Sequence, residues 1–196
     1  MKKGTIVLLV VVAVIVLLGG CSVKAYNKMV VMDENVGKAW ANVETQYQRR
    51  ADLIPNLVNT VKGYAAHESE TLEGVIAARS RATQVTVNPD DLTPEKMQQF
   101  QEAQGEVSAA LGRLLLLTEN YPDLKANQNF LELQAQLEGT ENRISVERRN
   151  FNETSKAYNA YIRKFPNNII SGMFGFEKKS YFEAAEGTEA APEVKF

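Results

Sequence analysis

Residues that build covalent or metal-bound sites are almost missing from this sequence. Its 196 residues include one cysteine, Cys21, and one histidine, His67. A single cysteine excludes an internal disulfide and a cysteine-based zinc site, and a single histidine excludes a histidine-rich metal site. The pair His67-Glu68 also lacks the second histidine of the H-E-x-x-H zinc motif, because residue 71 is a threonine. We therefore expect no catalytic, metal-binding or cofactor-binding residues and no cofactor.

An excess of charge of one sign is missing as well. The chain has 22 basic and 24 acidic residues, which gives a formal net charge of −2, and its lysines and arginines form no long run. Because nucleic-acid binding depends on clustered basic side chains, we expect no nucleic-acid partner. No serine stands between the glycines of a nucleophile elbow, so the sequence predicts a protein that is not an enzyme.

What the sequence does have is a long apolar run at its N-terminus. Ile6 to Leu18 is apolar without interruption, and no ionic group occurs from Gly4 to Val23. A helix needs about 20 such residues to cross the hydrocarbon core of a bilayer. We therefore predict a membrane segment over residues 1–23 and name the membrane as a partner.

Two kinds of anchor fit this segment. In the first, it is an uncleaved transmembrane helix, and Lys2 and Lys3 keep the N-terminus in the cytoplasm with the remaining chain outside it. In the second, Leu17-Leu18-Gly19-Gly20-Cys21 resembles a bacterial lipobox, so that Cys21 is lipidated on the periplasmic or outer-membrane side. Both alternatives remain open on the sequence.

Apolar residues from Val36 to Tyr64 recur at steps of three and four, which is the pattern of an amphipathic helix. Pro55 lies inside this pattern. Because proline removes a backbone donor and clashes with the preceding turn, we expect a kink or a break near residues 51–54.

Three further features predict the rest of the body. Residues 71–83 are expected to form a helix with Ile76 facing inward, followed by a loop at residues 85–93. Thr93-Pro94 has the residue types of an N-cap and a first helical position. The run Leu114 to Leu117 is apolar on every side, which predicts a place at the centre of a bundle.

The last helix has the strongest periodicity in the chain. Its apolar residues recur every seven positions, namely Phe130, Leu137, Ile144, Phe151, Tyr158 and Phe165. A seven-residue repeat is typical of coiled-coil packing. However, the second seam, three residues further on in each repeat, contains Thr140 and Glu147, which favours a multi-helix bundle. Pro166 is expected to end this helix.

The fold class is therefore all-α: an antiparallel up-and-down bundle of long helices over residues 24–166, behind the N-terminal membrane segment. Residues 167–196 form a separate C-terminal segment, rich in glycine and aromatic residues at first. We expect Phe174, Phe176 and Phe182 to pack on the bundle, with docking to a partner or a membrane as the alternative. The last dozen residues are expected to be disordered.

Several long strings in the chain resemble the LemA family of bacterial proteins. They are Arg49-Arg50-Ala51-Asp52-Leu53-Ile54-Pro55-Asn56-Leu57-Val58, Val61-Lys62-Gly63-Tyr64, Glu119-Asn120-Tyr121-Pro122-Asp123-Leu124-Lys125-Ala126-Asn127, Thr140-Glu141-Asn142-Arg143-Ile144 and Phe165-Pro166. The resemblance extends from Tyr26 to about Phe182. It implies a short N-terminal membrane segment and an antiparallel helical bundle outside the membrane, and it implies no established reaction.

Charged residues interrupt the apolar seams at two places. Arg50 and Asp52 lie in or beside the first stripe, and Glu147 and Arg148 lie on the last helix. Because buried charges need partners, we predict an ion pair near Arg50 and Glu147 within a polar layer that fixes the register of the bundle. A ligand site is the alternative interpretation of the same four residues.

A corner between two helices is predicted at residues 121–127. Its polar and turn-forming residues are Tyr121, Pro122, Asp123, Lys125 and Asn127. Capping of the last helix by an Asn or Asp side chain is the structural interpretation, and a docking loop at one end of the bundle is the functional one.

The leading functional hypothesis is a non-enzymatic, membrane-anchored bundle of the cell envelope that binds other envelope proteins or acts as a scaffold. A membrane-associated hydrolase, or an accessory subunit of one, is an alternative that a perturbed carboxylate in a closed pocket would favour. A lipid-binding or small-ligand-binding bundle is a third, which a large apolar cavity would favour.

Overall fold

The computed structural model describes residues 3–183, and all regular structure in that range is helical. The helices are α1 (Lys3–Lys62), α2 (Ser69–Gln84), α3 (Pro94–Thr118), α4 (Pro122–Lys125), α5 (Gln128–Arg163) and α6 (Asn167–Phe174), with a 3-10 turn at Pro89–Asp91. The all-α prediction is confirmed. The disorder expected at the extreme C-terminus concerns residues outside the described range.

Helix α1 runs without interruption from the apolar segment into the body of the protein. It contains 60 residues and is therefore about 90 Å long at ~1.5 Å per residue. It includes a stretch that is long and apolar enough to cross a membrane. Apolar side chains such as Leu8 and Leu17 are exposed there, and the first buried one among the described side chains is Ala25. The body of the fold therefore begins just after the apolar stretch.

Pro55 does not break α1. Because residue 55 has no backbone N–H, the carbonyl of Ala51 has no donor within the helix. Arg79 of α2 supplies one, and its Nε donates to the Ala51 oxygen at 2.6 Å. A neighbouring helix thus replaces the hydrogen bond that proline removes, which explains why the chain remains helical on both sides.

The long helices pack as antiparallel pairs. Trp40 and Arg50 of α1 contact Phe151 and Glu141 of α5. Beyond the end of α1, Tyr64 contacts Asn127 just before α5, so the partner numbers fall as the numbers along the first helix rise. Between α2 and α3, Arg81 pairs with Glu106, while Glu68 and Tyr121 meet at the far end. Helices α1 and α2 are joined by a tight turn over residues 63–68.

The expected helix N-termini are also present. The Thr93 side chain caps α3 by accepting from the N–H of Lys96 at 3.4 Å, with Pro94 as first residue. The Asn127 side chain caps α5 by accepting from the N–H of Phe130 at 3.0 Å. These bonds satisfy backbone donors that have no partner inside a helix.

The interior is divided into two clusters. We call the one nearer the apolar N-terminal stretch the proximal core; it contains Met29, Val36, Trp40, Val43, Tyr47, Val87, Leu92, Met97, Phe100, Ile144, Phe151, Tyr158, Ile162, Ile170 and Phe182. We call the other the distal core; it contains Ile54, Leu57, Val58, Val61, Leu72, Val75, Val107, Leu111, Leu114, Leu124, Phe130 and Leu137. Arg50 and Gln104 are buried polar residues. Along their own helices, they lie between the residues of the proximal core and those of the distal core.

Three expectations about burial are wrong. Phe165 is 81% exposed, because α5 ends at Arg163 and the heptad register does not continue past that point. Ile76 is 51% exposed and Leu116 is 73% exposed. Their helices, α2 and α3, are covered by neighbours on one side only, so a run that is apolar all round leaves one residue facing outward. Leu114, in the same run, is fully buried.

Candidate functional site

A buried arginine holds three helices together at the level between the two cores. The guanidinium of Arg50 donates to Gln104 Oε1 at 2.5 Å and to the Gln104 carbonyl at 3.1 Å. It also donates to Ser108 Oγ at 2.9 Å and forms an ion pair with Glu141 at 2.7 Å. Its side chain is 3% exposed, and its head lies 5.0 Å from the centre of the Tyr47 ring.

The predicted polar layer therefore exists, but its acidic member was misassigned. Arg50 pairs with Glu141, one residue after Thr140 of the second seam, and not with Glu147, which accepts from Asn150 instead. A glutamate beside the seam keeps its carboxylate partly in water, where charge is less costly, while still reaching the buried guanidinium.

Of the other two residues assigned to the layer, Asp52 lies outside it, whereas Arg148 reaches its edge through a side-chain hydrogen bond with Tyr47. Asp52 is exposed and accepts from Gln48 on its own helix at 2.8 Å. Arg148 donates to Gln101 and to the backbone of Glu183, and its guanidinium lies over the Phe182 ring at 4.6 Å. Arg148 does not pair with Arg50, but it joins Tyr47 at the edge of the polar layer to the C-terminal segment.

A small cleft opens beside the polar layer. Its volume is about 120 Å³, and its polar lining includes Glu44, Tyr47, Arg50, Arg79 and Gln104. Burial raises the pKa of the Glu44 carboxyl and also that of the Tyr47 hydroxyl. Both terminal nitrogens of Arg50 donate to groups within the protein, so this arginine acts as a structural cross-link between helices.

The C-terminal segment is clasped by two asparagines of α5. Asn152 exchanges two hydrogen bonds with the backbone of Phe182, both at 2.9 Å. Asn159 does the same with the backbone of Lys179, at 2.8 and 2.9 Å. Phe182 stacks on Trp40 with ring centres 5.8 Å apart. The expectation that aromatic residues of this segment pack on the bundle is confirmed for Phe182 and for the partly buried Phe176, whereas Phe174 is 59% exposed.

Lys179 adds a second enclosed ion pair. Its side chain is 11% exposed, and its ammonium lies 2.9 Å from Asp33 of α1. Burial raises the pKa of the neighbouring Tyr158 hydroxyl well above its ordinary value, and the Asp33 charge adds to this effect. The C-terminal segment therefore contributes both apolar and charged contacts to the proximal half of the fold.

The predicted corner lies at the opposite end, against the turn between α1 and α2. Tyr121 donates to Glu68 at 2.9 Å, and Asn127 donates to the Tyr64 hydroxyl at 2.9 Å. Pro122 begins α4, Asp123 is exposed and Lys125 pairs with Glu119 at 2.5 Å. The capping interpretation is confirmed for Asn127, and the docking interpretation remains a prediction.

An apolar groove adjoins this corner. It lies between α3 and α5, and its lining includes Leu115, Leu116, Leu131 and Lys125. Leu116 is 73% exposed and Leu131 is 45% exposed. We refer to it as the distal groove.

Two other features bear on chemistry. Cys21 is an exposed free cysteine within α1, four residues before the buried Ala25. Over residues 3–183, no three His, Cys, Asp or Glu side chains come together in an arrangement that could hold a metal ion.

Sequence reasoning missed several polar residues of the interior. Gln104 occupies a position of the α3 apolar stripe, four residues after Phe100 and three before Val107. A polar residue at such a position indicates a buried polar contact. Phe151-Asn152 and Tyr158-Asn159 repeat the same aromatic–asparagine pair seven residues apart. Ser108 and Glu141 carry no comparable signal, because each lies outside the apolar stripes.

The architecture defines an all-α protein with a long helix that projects an apolar stretch beyond its packed body. The chain belongs to the LemA family, whose sequence profile matches residues 39–196. The resemblance identified from the motifs is thereby confirmed.

Three relatives are each about one quarter identical to this chain. Magnetosome protein MamQ 2 of Paramagnetospirillum magneticum is 26% identical over 175 residues, which is 81% of this chain and 64% of that protein. MamQ of Magnetospirillum gryphiswaldense is 25% identical over 201 residues, covering 93% of this chain and 74% of that protein. Protein LemA of Metamycoplasma hominis is 24% identical over 160 residues, covering 82% and 69%. The chain spans less than two thirds of the length of the first of these relatives.

Proposed function

We propose that this protein is a non-enzymatic, membrane-anchored helical bundle of the cell envelope that presents a protein-binding surface away from the bilayer. The observation that carries the proposal is the continuity of α1, which joins an exposed apolar stretch to the packed body without a linker. A bundle attached in this way has a fixed height and direction above the membrane. The magnetosome assignment of the MamQ relatives is consistent with a role at a membrane.

The distance that this helix spans favours a spacer or scaffold role. From Ala25 to Lys62 the helix rises about 55 Å at ~1.5 Å per residue. The corner and the distal groove lie at the far end of that rise. A partner that binds the distal groove would be held well outside the headgroup region.

The small cleft beside the polar layer supports a hydrolase or a ligand-binding bundle less well than α1 supports a scaffold. Its volume of about 120 Å³ is well below the ~300–1,000 Å³ of small-molecule sites. Glu44 supplies the perturbed carboxylate that a hydrolase would need. However, the other titratable side chains in the lining are Tyr47, Arg50 and Arg79, and all three are already hydrogen-bonded to protein groups.

The anchor is tested by placing charge in the apolar stretch of the full-length protein. Leu9→Asp combined with Val12→Asp adds about 5–7 kcal/mol to the cost of insertion, because each centrally placed aspartate costs roughly 2.5–3.5 kcal/mol. We expect the variant to leave the membrane fraction under an alkaline carbonate wash. Protease added from outside the cytoplasm should digest the wild-type body in intact cells and leave the N-terminus protected.

The matched control is Val31→Asp combined with Ala41→Asp. Both residues are exposed on the same helix but outside the apolar stretch. This variant should stay in the membrane fraction. Equal behaviour of the two double variants would contradict the anchor.

The intact mass of protein extracted from membranes distinguishes the two kinds of anchor. An unmodified full-length mass indicates a permanent span. A species that begins at Cys21 and carries acyl chains indicates a lipoprotein, and Cys21→Ser should then abolish both the cleavage and the acyl mass.

The partner surface is tested with a photo-crosslinking residue at Leu116 in the distal groove. A matched position is Arg113, which is exposed on the same helix. We expect a discrete crosslinked species from position 116 and not from 113, and its loss when Leu131→Glu is added. Equal crosslinking at both positions would count against the groove as the docking surface.

A further inference from the structure

We propose that α6, together with the preceding Phe165, lies in the interface of the same bilayer that α1 enters and binds anionic phospholipid there. This inference rests on the proposed anchor. It assigns a second membrane contact to a segment that lies about 140 residues away from the first in the sequence.

The outward face of this short segment is unusually apolar. Phe165, Ile169 and Met173 follow one another at four-residue intervals and are 81%, 54% and 74% exposed, and Phe174 is 59% exposed. Side chains four residues apart share one helix face, so the last three form one apolar surface continuous with Phe165. Large apolar side chains are rarely concentrated on an open surface unless that surface meets a partner or a membrane.

The height of α6 relative to the apolar stretch matches the membrane interface. Tyr26 of α1 contacts the rings of Phe174 and Phe176, with centres 4.8 and 5.6 Å apart. Tyr26 follows Val23, the last residue of the uncharged stretch, by about 4.5 Å of helix rise. The headgroup region on each side of a bilayer is about 5–8 Å thick, so α6 falls within it.

The charges around α6 complement anionic headgroups. Exposed cations lie on the three segments that adjoin it. Lys24 and Lys28 flank Tyr26 on α1, and Arg163, Lys164 and Lys178 precede or follow α6 in the chain. Within residues 24–28 and 163–179, Glu177 is the one exposed acidic residue, and Lys179 is paired with Asp33. Basic residues beside an apolar interfacial helix are the usual arrangement for binding anionic lipid.

The apolar face cannot turn inward, because the opposite face is fixed to the bundle. Ile170 is 8% exposed and Ser171 is 7% exposed, and the Ser171 hydroxyl donates to the Ile162 carbonyl at 3.1 Å. Gly175, with a φ of 74°, ends the helix in the left-handed conformation that glycine adopts easily. The face that is presented to the membrane is therefore preformed.

The test measures depth in the bilayer for the full chain with Cys21→Ser as background. Single nitroxide labels are attached after Met173→Cys, Val12→Cys or Ile76→Cys, all at exposed positions. Each protein is reconstituted into vesicles of phosphatidylglycerol and phosphatidylcholine, and collisions with oxygen and with a water-soluble nickel chelate are measured. We expect severalfold higher oxygen-to-nickel ratios at 173 and 12 than at 76.

The possible outcomes separate this inference from the anchor. A lipid-like ratio at 12 with a water-like ratio at 173 overturns the α6 contact and leaves the anchor standing. A water-like ratio at 12 overturns the anchor, and the inference with it. Exclusion of both reagents from 173, with spin–spin broadening, indicates a second copy of the chain on this face and also overturns the proposal.

The lipid charge is tested in vesicles of phosphatidylcholine alone. The ratio at 173 should fall there, whereas the ratio at 12 should not change. An unchanged ratio at 173 would overturn the assignment of the surrounding cations to anionic lipid. Circular dichroism of each labelled protein checks that the bundle is folded.

Discussion

The two cores of this bundle are built from different side chains although the same three helices, α1, α3 and α5, run through both. The proximal core is mainly aromatic at its centre, with Trp40, Phe100 and Phe151 in contact. The distal core is aliphatic apart from Phe130. The difference follows from what closes each core on its remaining side.

The distal core is closed by helix α2 and the second half of α3, which contribute aliphatic side chains from regular helix. The proximal core is closed in part by irregular chain, namely the loop with Val87 and Leu92 and the segment that carries Phe182. Irregular backbone has polar groups that need partners, and Trp40 and Asn152 supply them. Aromatic rings and side-chain amides therefore close the proximal core, whereas regular helix packing closes the distal core.

The largest expected effect comes from removing the centre of each core. Trp40→Ala should lower the free energy of unfolding by about 4 kcal/mol, against about 3 kcal/mol for Leu114→Ala, because both side chains are fully buried and the tryptophan is larger. Thermal unfolding in detergent micelles, followed by circular dichroism, measures both. A smaller loss for Trp40→Ala than for Leu114→Ala would contradict the central place given to the aromatic cluster.

The boundary between the cores is tested at Arg50. Arg50→Ala leaves Gln104 without its partner and should cost about 3 kcal/mol, whereas Glu141→Gln, at a half-exposed carboxylate, should cost about 1 kcal/mol. Glu147→Gln is the matched control and should change the free energy of unfolding by less than about 0.5 kcal/mol. Chemical denaturation distinguishes the three, and a larger loss from Glu147→Gln than from Glu141→Gln would reverse the assignment of the ion pair.

The clasp on the C-terminal segment should matter only to the proximal half. Asn152→Ala removes two hydrogen bonds to the Phe182 backbone and should cost about 2 kcal/mol. It should also speed tryptic cleavage at the exposed Lys178. Asn150→Ala, at an exposed residue of the same helix, is the control and should leave both properties unchanged. Cleavage that is equally fast in both variants would show that the asparagine does not hold the segment.

The smallest expected effect concerns the distal half, where Arg79 compensates for Pro55. Arg79→Ala should cost about 1.5 kcal/mol in the wild type but only about 0.5 kcal/mol when Pro55→Ala is also present, because alanine restores the N–H donor for the Ala51 carbonyl. The four proteins form a double-mutant cycle that is read by thermal unfolding. Additive losses would mean that Arg79 does not act through that carbonyl.

Much of the fold could be predicted because helical periodicity, capping residues and proline positions are local features. The N-caps at Thr93 and Asn127 follow from residue type and place in the chain. The heptad holds for the five residues from Phe130 to Tyr158. It fails at Phe165, because the end of a helix depends on what the next segment packs against.

The candidate sites were less predictable because partners across helices depend on relative axial position. The sequence indicates that Arg50 needs an anion on the last helix, but Glu141 and Glu147 are separated by about 9 Å along that helix at ~1.5 Å per residue. The periodicity of apolar residues in one sequence does not fix the axial register between two helices at that scale. The same limit hid Ser108 and the two clasping asparagines.

The sequence by itself determined the helical class, the apolar N-terminal stretch, the caps and the need of Arg50 for a partner, because each follows from local chemistry. The tertiary structure decided which anion serves Arg50, how Arg79 repairs α1 at Pro55, and that Phe182 completes the proximal core. It also brought Tyr26 and α6 together beside the end of the apolar stretch. These outcomes depend on contacts between residues far apart in the chain, whose geometry is fixed only when all the helices pack.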